Sequence, residues 1–264
     1  MRVLLLTTCL YNDVNYSDFL RLTNSLSLQN KNVFFEHGVL FQNYSLEQKL
    51  EMNKTKNYSA NYFYVPEVMS LSKARNFLIN QYLDLLDDYD YISFPDDDCW
   101  YPSELWGLVE SLVKTESVDL FYTKFSSQPI NDFRSNEKHT TYKLVKNASS
   151  NTTIYKSEIV GKLKVFDERF GVGSINNGGE DTDFAIRAML LSRRVIFHNS
   201  DLIGHRDPIA EFRYRYFKGS FGVLKNHCFS SIPLLLITLR KFLVGLAFLL
   251  SNKIKISDFF VRNV

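Results

Sequence analysis

The sequence predicts an α/β domain followed by a basic, apolar helical tail, and three observations predict it. Short β-branched and aromatic runs alternate with segments of helical spacing. The 264 residues are 45% hydrophobic and 23% charged, with 22 Phe and 15 Tyr, which is enough apolar material for a large core. The small net charge of +2 conceals a split. From His205 onward there are 10 Lys/Arg against 3 Asp/Glu, or +7, whereas Met1 to Gly204 carries 21 against 26, or −5. This composition excludes a disordered, collagen-like or disulfide-scaffold chain, and an acidic body argues against a nucleic-acid partner.

Val3 to Thr7 reads as a first buried strand, because the apolar run is too short and lacks the cleavage site of a signal peptide. Asp18 to Leu28 has Phe19, Leu20, Leu22 and Leu26 at the spacing of a helix facing a sheet. Val33 to Phe35 and Tyr62 to Val65 predict two more strands. A helix follows Ser70 or Ser72, either of which can act as N-cap, with Ala74, Phe77, Leu78, Tyr82 and Leu85 near helical spacing. Tyr89 to Phe94 predicts a fourth strand that stops at Pro95. Pro102 opens a helix with Leu105, Leu108, Val109, Leu112 and Val113 on one face. Val118 to Tyr122 is strand-like again, and Ser126 to Asn151 is weakly patterned, predicting a long loop or irregular hairpin. Residues 1–225 form the expected domain and 226–264 the tail. Cys9, Cys99 and Cys228 have neither disulfide nor zinc spacing and fit a reducing compartment.

Two acidic constellations carry chemistry. Asp96, Asp97 and Asp98 follow a buried strand directly, and open α/β sheets bind ligands at the carboxyl ends of their strands. In extended backbone Asp96 and Asp98 share a side, with Asp97 on the other. Two such close carboxylates call for a cation, and hard oxygen ligands suit Mg²⁺ or Mn²⁺. The acids at Asp84, Asp87, Asp88 and Asp90 read instead as an ordinary surface turn. The second constellation, Gly178-Gly179-Glu180-Asp181-Thr182-Asp183, precedes a helix carrying Phe184, Ala185, Ala188 and Leu191. Helix capping accounts for one acid there, Asp183, but not for the whole run. A carboxylate presented by a glycine loop suits removal of a proton from an incoming hydroxyl.

Together with Ser72-Lys73-Ala74-Arg75-Asn76, Phe166-Asp167-Glu168-Arg169-Phe170-Gly171 and His205, these motifs occur in the order found in the GT-A glycosyltransferases. The chain resembles the family-2 bacterial enzymes that build capsule, O-antigen and exopolysaccharide, over roughly Met1 to Lys225. The resemblance implies a GT-A fold, a Rossmann-like mixed sheet with flanking helices. It implies inverting transfer from a nucleotide-diphosphate sugar to a hydroxyl of a glycan or lipid-linked acceptor. By the same resemblance, Asp98 and His205 would hold Mn²⁺ or Mg²⁺, and Thr8, Arg75, Asp96 and Asp97 would contact the donor. Asp181 would be the catalytic base, Glu180 and Trp100 would face the acceptor, and Asn76 would be structural. One departure stands out: Glu36 to Asn43 lacks the acidic pattern with which the family reads the base. A non-catalytic sugar-nucleotide-binding protein of the same fold is the alternative. A phosphohydrolase would need a different context after its nucleophilic Asp than Cys99-Trp100 supplies.

In the tail, Ile232 to Leu250 is apolar apart from Arg240-Lys241. Each central charge costs about 2.5–3.5 kcal/mol on insertion, against about 0.3–0.6 returned by each Leu, Ile, Phe or Val, so the sum is near zero. A helix lying on the cytoplasmic membrane surface is expected, with a core or dimer helix as the alternative reading.

Overall fold

The computed structural model describes residues 1–29, 32–44, 55–130, 136–207 and 209–263. The chain runs β1 (Arg2–Leu10), α1 (Asp13–Ser27), β2 (Phe34–Gln42), β3 (Tyr58–Val65), α2 (Leu71–Tyr82), β4 (Tyr91–Ser93), α3 (Leu105–Glu116) and β5 (Leu120–Ser126). It continues through β6 (Asn136–Glu137), α4 (Thr141–Asn147), β7 (Thr153–Lys156), α5 (Ser157–Leu163), α6 (Glu180–Leu191) and β8 (Val195–Gly204). Three helices close it: α7 (Phe212–Arg215), α8 (Phe217–His227) and α9 (Ile232–Leu250).

Among the described residues the strands form one mixed sheet in the order β3-β2-β1-β4-β7-β5-β8-β6. Strands β1 to β4 are parallel, β7 runs antiparallel between β4 and β5, and β8 returns parallel to β5. Alternation along β1 builds both faces of the core. Leu4 and Leu6 join Ala74, Leu78 and Ile79 of α2 and Phe184 and Ala185 of α6. Val3 and Leu5 join Phe19 and Leu22 of α1 and Leu105 and Trp106 of α3. A strand buried on both faces reads as a continuous apolar run, which is why Val3 to Leu6 was legible.

The expected elements are present, β1, α1, β2 and β3 with wider bounds, whereas β4 is shorter than Tyr89 to Phe94 and α2 stops at Tyr82, before Leu85; β7 and α5 are not among the expected ones. Helix α1 starts at Asp13 because the Asn12 side chain accepts from Asn15 N. Ser70 sits at the N-cap of α2 without a side-chain bond, while the Ser72 hydroxyl donates to Phe170 O at 2.7 Å. The expected long loop at 126–151 is corrected. It holds the edge strand β6 and helix α4, whose Thr140 cap accepts from Lys143 N; residues 131–135 lie outside those described. The stretch from Glu36 departs from the base-reading pattern because it is the body of β2, paired with β1 and β3 through Gln42.

The division at 225/226 falls within α8. Helix α9 packs on α8 and α4, and the chain then returns: Asn176 and Arg262 exchange hydrogen bonds at 2.9 and 3.0 Å beside the glycine-rich loop. By length and composition α9 is able to cross a membrane, yet only 17% of its apolar window is buried in the protein.

Candidate functional site

Strand β4 delivers Asp96 to Asp98 to the carboxyl edge of the sheet, as parallel strands do with ligand-facing residues. Asp98 is buried and its Oδ1 lies 3.1 Å from His205 Nε2; Asp96 Oδ2 lies 3.8 Å from the same nitrogen. One ligand atom from each of Asp96, Asp98 and His205 falls within 4.8 Å of the others. The other ring nitrogen of His205, Nδ1, is 2.8 Å from Arg206 O. A carbonyl only accepts, so Nδ1 carries a hydrogen and Nε2 turns toward the carboxylates, the orientation a metal-binding histidine needs. Burial alone would depress His205, but the two carboxylates hold it up at about 9. Burial works against charge on Asp98 too, and His205 and Arg206 outweigh it, holding the carboxyl down at about 2. Two carboxylates and an imidazole thus fit a hard or borderline divalent cation.

What brings His205 there is a junction between two loops. Trp100 and Gly204 exchange backbone hydrogen bonds at 2.9 Å, and a Cβ on Gly204 would lie 2.0 Å from the indole. Only glycine allows the ring to lie flat on the end of β8. The Arg21 guanidinium covers the ring at 4.4 Å and donates to Asp98 O at 2.8 Å. The structure gives Trp100 this packing role.

Arg75 is 2% exposed and joins the two constellations. Its Nη2 donates to Asp96 Oδ1 at 3.2 Å and its Nη1 to Asp181 Oδ1 at 2.6 Å. Burial opposes its charge, and the carboxylates of Asp181 and Asp96 restore it. Ser150 makes a second bridge, its N–H donating to Asp181 Oδ2 at 3.0 Å and its hydroxyl to Asp96 Oδ1 at 3.1 Å. Asp181 is fixed through both oxygens, in the first turn of α6 rather than on a free loop. Gly179 makes that turn feasible: at φ +94° its backbone lies against Gly219, 2.8 Å from where a Cβ would sit.

Glu180 is buried beside Asp181, and burial, then the Asp181 charge, pushes its carboxyl up to about 7. A folded value above the ordinary 4.5 means that folding favours the protonated acid. That contribution is complete below the ordinary value and is lost as pH rises through about 7. Glu180→Gln, which is neutral throughout, should therefore melt higher than the parent at about pH 8 and approach it at about pH 4, below the ordinary value. Thermal melts at the two pH values check this; an equal difference at both would contradict it.

Asp97 stands outside the cluster, in a turn that Cys99 N closes on Asp96 O at 3.2 Å and not in the expected extended backbone, and pairs with the Cys9 thiol; burial pushes it up to about 7. Thr8 is half-buried at the end of β1. Asn76 is structural: its side chain brackets Phe166 through the backbone N and O at 2.7 and 3.0 Å.

Three residues of this region were not foreseen. Ser150 lies in a stretch with no periodic signal, and Arg206, which donates to Asp98 Oδ2, signals only by following His205. His37 is buried on β2 between Tyr58 OH and Thr7 Oγ1, each at 2.8 Å. The Thr7 hydroxyl donates to Pro95 O at 3.0 Å, so it accepts from Nε2–H, and Nδ1 accepts from Tyr58. Burial holds His37 down at about 3, hence neutral, and the chain of bonds anchors the carbonyl just before Asp96.

The same fold is found among solved structures. S. aureus TarS residues 1–349 superpose with a TM-score of 0.60 at 17% identity, covering 86% of this chain and 66% of that one. The same fragment in complex with UDP-GlcNAc gives 0.60 at 15%, covering 86% and 67%, and in complex with UDP gives 0.60 at 18%, covering 86% and 66%. The fold is GT-A. The chain spans about two thirds of the TarS fragment's length. No protein-family model and no curated protein sequence matches the chain.

Proposed function

We propose that this protein is an inverting glycosyltransferase that moves a sugar from a nucleotide-diphosphate donor to a hydroxyl of a glycan acceptor in surface polysaccharide synthesis. The observation that carries the reading is the arginine-bridged pair of constellations. A ligand set of Asp96, Asp98 and His205 stands one guanidinium away from a carboxylate held at a helix start. A site that stabilises a leaving diphosphate and removes a proton from an attacking hydroxyl needs both within one substrate's length.

A divalent cation held there, Mn²⁺ or Mg²⁺, would supply charge neutralisation for the departing diphosphate. The chain's own groups do the rest. Asp181 takes the proton as the acceptor oxygen attacks the anomeric carbon on the face opposite the diphosphate, so the new C–O bond forms while the old one breaks. Arg75 and Ser150 fix the carboxylate through its two oxygens, and Glu180 lines the acceptor side. TarS in complex with UDP-GlcNAc supports a nucleotide-sugar donor and makes UDP-sugars the first to try.

Calorimetric titration of a nucleotide-sugar panel with and without Mn²⁺ tests the reading. At least one donor should bind in a cation-dependent way, and Asp98→Ala should reduce that binding by about tenfold or more, the scale of losing one charge-assisted contact. Donor binding that is the same with and without the cation in both proteins would overturn the metal assignment. Bound donor that is never transferred or hydrolysed would favour a binding protein of the same fold.

A further inference from the structure

The outer face of α9 has no partner among the described residues. Ile232, Leu236, Leu239, Leu243, Leu246 and Leu250 lie four and three residues apart and are 37% to 86% exposed. Phe229, one turn before the helix, is 91% exposed. A continuous stripe of this kind marks an interaction surface. The inner face is fastened. Leu234 is buried, and the Thr238 hydroxyl donates to Leu224 O at 3.1 Å. A Cβ on Gly245 would come within 2.3 and 2.8 Å of Phe217 and Phe259. Those two rings pack with Phe221 and Ile254 in a small core of their own. Crossing a membrane would strip α9 from this seat and break that core, so the helix stays along the body with its stripe outward.

Charge decides what covers the stripe. From Phe212 to Asn263 there are nine Lys/Arg and a single acid, Asp258, whose carboxylate is taken up by Lys255 N at 2.8 Å. Arg213, Arg215, Lys225, Lys253, Lys255 and Arg262 are exposed. A second copy would bring two such basic segments together and repel, whereas an anionic bilayer answers both the apolar stripe and the exposed cations of the same segment.

We propose that α9 lies in the plane of an anionic lipid surface and docks the protein there. The consequence reaches the site. Arg240 of α9 donates to Tyr142 OH of α4 at 3.3 Å, and α4 and α8 wall a cavity of about 330 Å³ that contains Glu180, Asp181, Lys146 and Tyr216. Docking would bring this cavity beside the lipid headgroups, the position from which an acceptor carried on a lipid is reached. This consequence rests on the transferase reading above; the docking does not.

Flotation of the full chain with vesicles tests it. The protein should float with vesicles of equal parts phosphatidylcholine and phosphatidylglycerol and not with phosphatidylcholine alone. Leu236→Glu/Leu243→Glu should abolish flotation. Each of Lys253→Ala and Lys255→Ala should weaken it roughly fivefold, and raising the ionic strength should weaken it further. These side chains are exposed, so the melting temperatures of the variants should match the parent. A chain that stays at the bottom with anionic vesicles overturns the proposal. So does a solution dimer that the double Glu variant dissociates while vesicle binding is unchanged. Transfer to a soluble acceptor without flotation would sink the docking and leave the transferase; flotation without transfer would do the reverse.

Discussion

Asp181→Asn is expected to lower transfer by about 10²–10⁴-fold, the usual worth of a positioned general base, while leaving donor binding largely intact. The asparagine keeps the shape of the side chain, and its carbonyl oxygen can still accept from Arg75 or from Ser150 N, as Asp181 does at 2.6 and 3.0 Å. It lacks a basic site for the acceptor's proton. The ligand set of Asp96, Asp98 and His205 does not include it, so cation-dependent donor binding should persist. Measuring transfer and calorimetric donor affinity on the same preparation separates the two. Near-normal turnover in Asp181→Asn would remove the base assignment. Loss of turnover together with donor binding would show instead that the change had disturbed Asp96 through the shared arginine.

The site was legible where chemistry coincides with local pattern. The acids directly follow a buried apolar strand, which singles them out; Asp96 and Asp98 do come together, but through a turn that Cys99 N closes on Asp96 O at 3.2 Å and not through alternation in extended backbone. Asp181 was legible from its glycine loop, although the loop turns directly into α6 and all three acids fall in its first turn. What escaped was whatever depends on distant pairing. Arg75 is 106 residues from Asp181, and nothing local says that its guanidinium is shared between two carboxylates. Ser150 belongs to a stretch without periodicity, where α4 and the turn before β7 are held by side-chain bonds such as Thr153 Oγ1 to Ser149 O at 2.7 Å. Strand β7 is four residues long and antiparallel among parallel neighbours, too short for a period to declare itself. The trace of α9 was plain, but which face it keeps could not be read, because that depends on Gly245 meeting Phe217 and Phe259.

Arg75→Met should destabilise the fold by about 2–4 kcal/mol, measured as a shift in the denaturation midpoint at unchanged slope. Arg75 is 2% exposed, and the two carboxylates it holds, Asp96 and Asp181, have side chains 31% and 24% exposed. Water can reach those acids in part, which sets the expected loss below that for a fully buried pair. Methionine keeps much of the volume against Phe166, over whose ring the guanidinium sits at 5.3 Å, so a void contributes little. What remains is two carboxylates brought together with only Ser150 between them. Arg75→Lys should fall between the two, since an ammonium lacks the planar fork that reaches both acids at once. The decisive comparison is Arg75→Met in an Asp181→Asn background. Removing one of the two negative charges should recover part of the loss, giving a coupling of about 0.5–3 kcal/mol between the positions. If the double variant lost the plain sum of the single losses, Arg75 and Asp181 would be independent, and the bridge joining cation site to base would carry no energy.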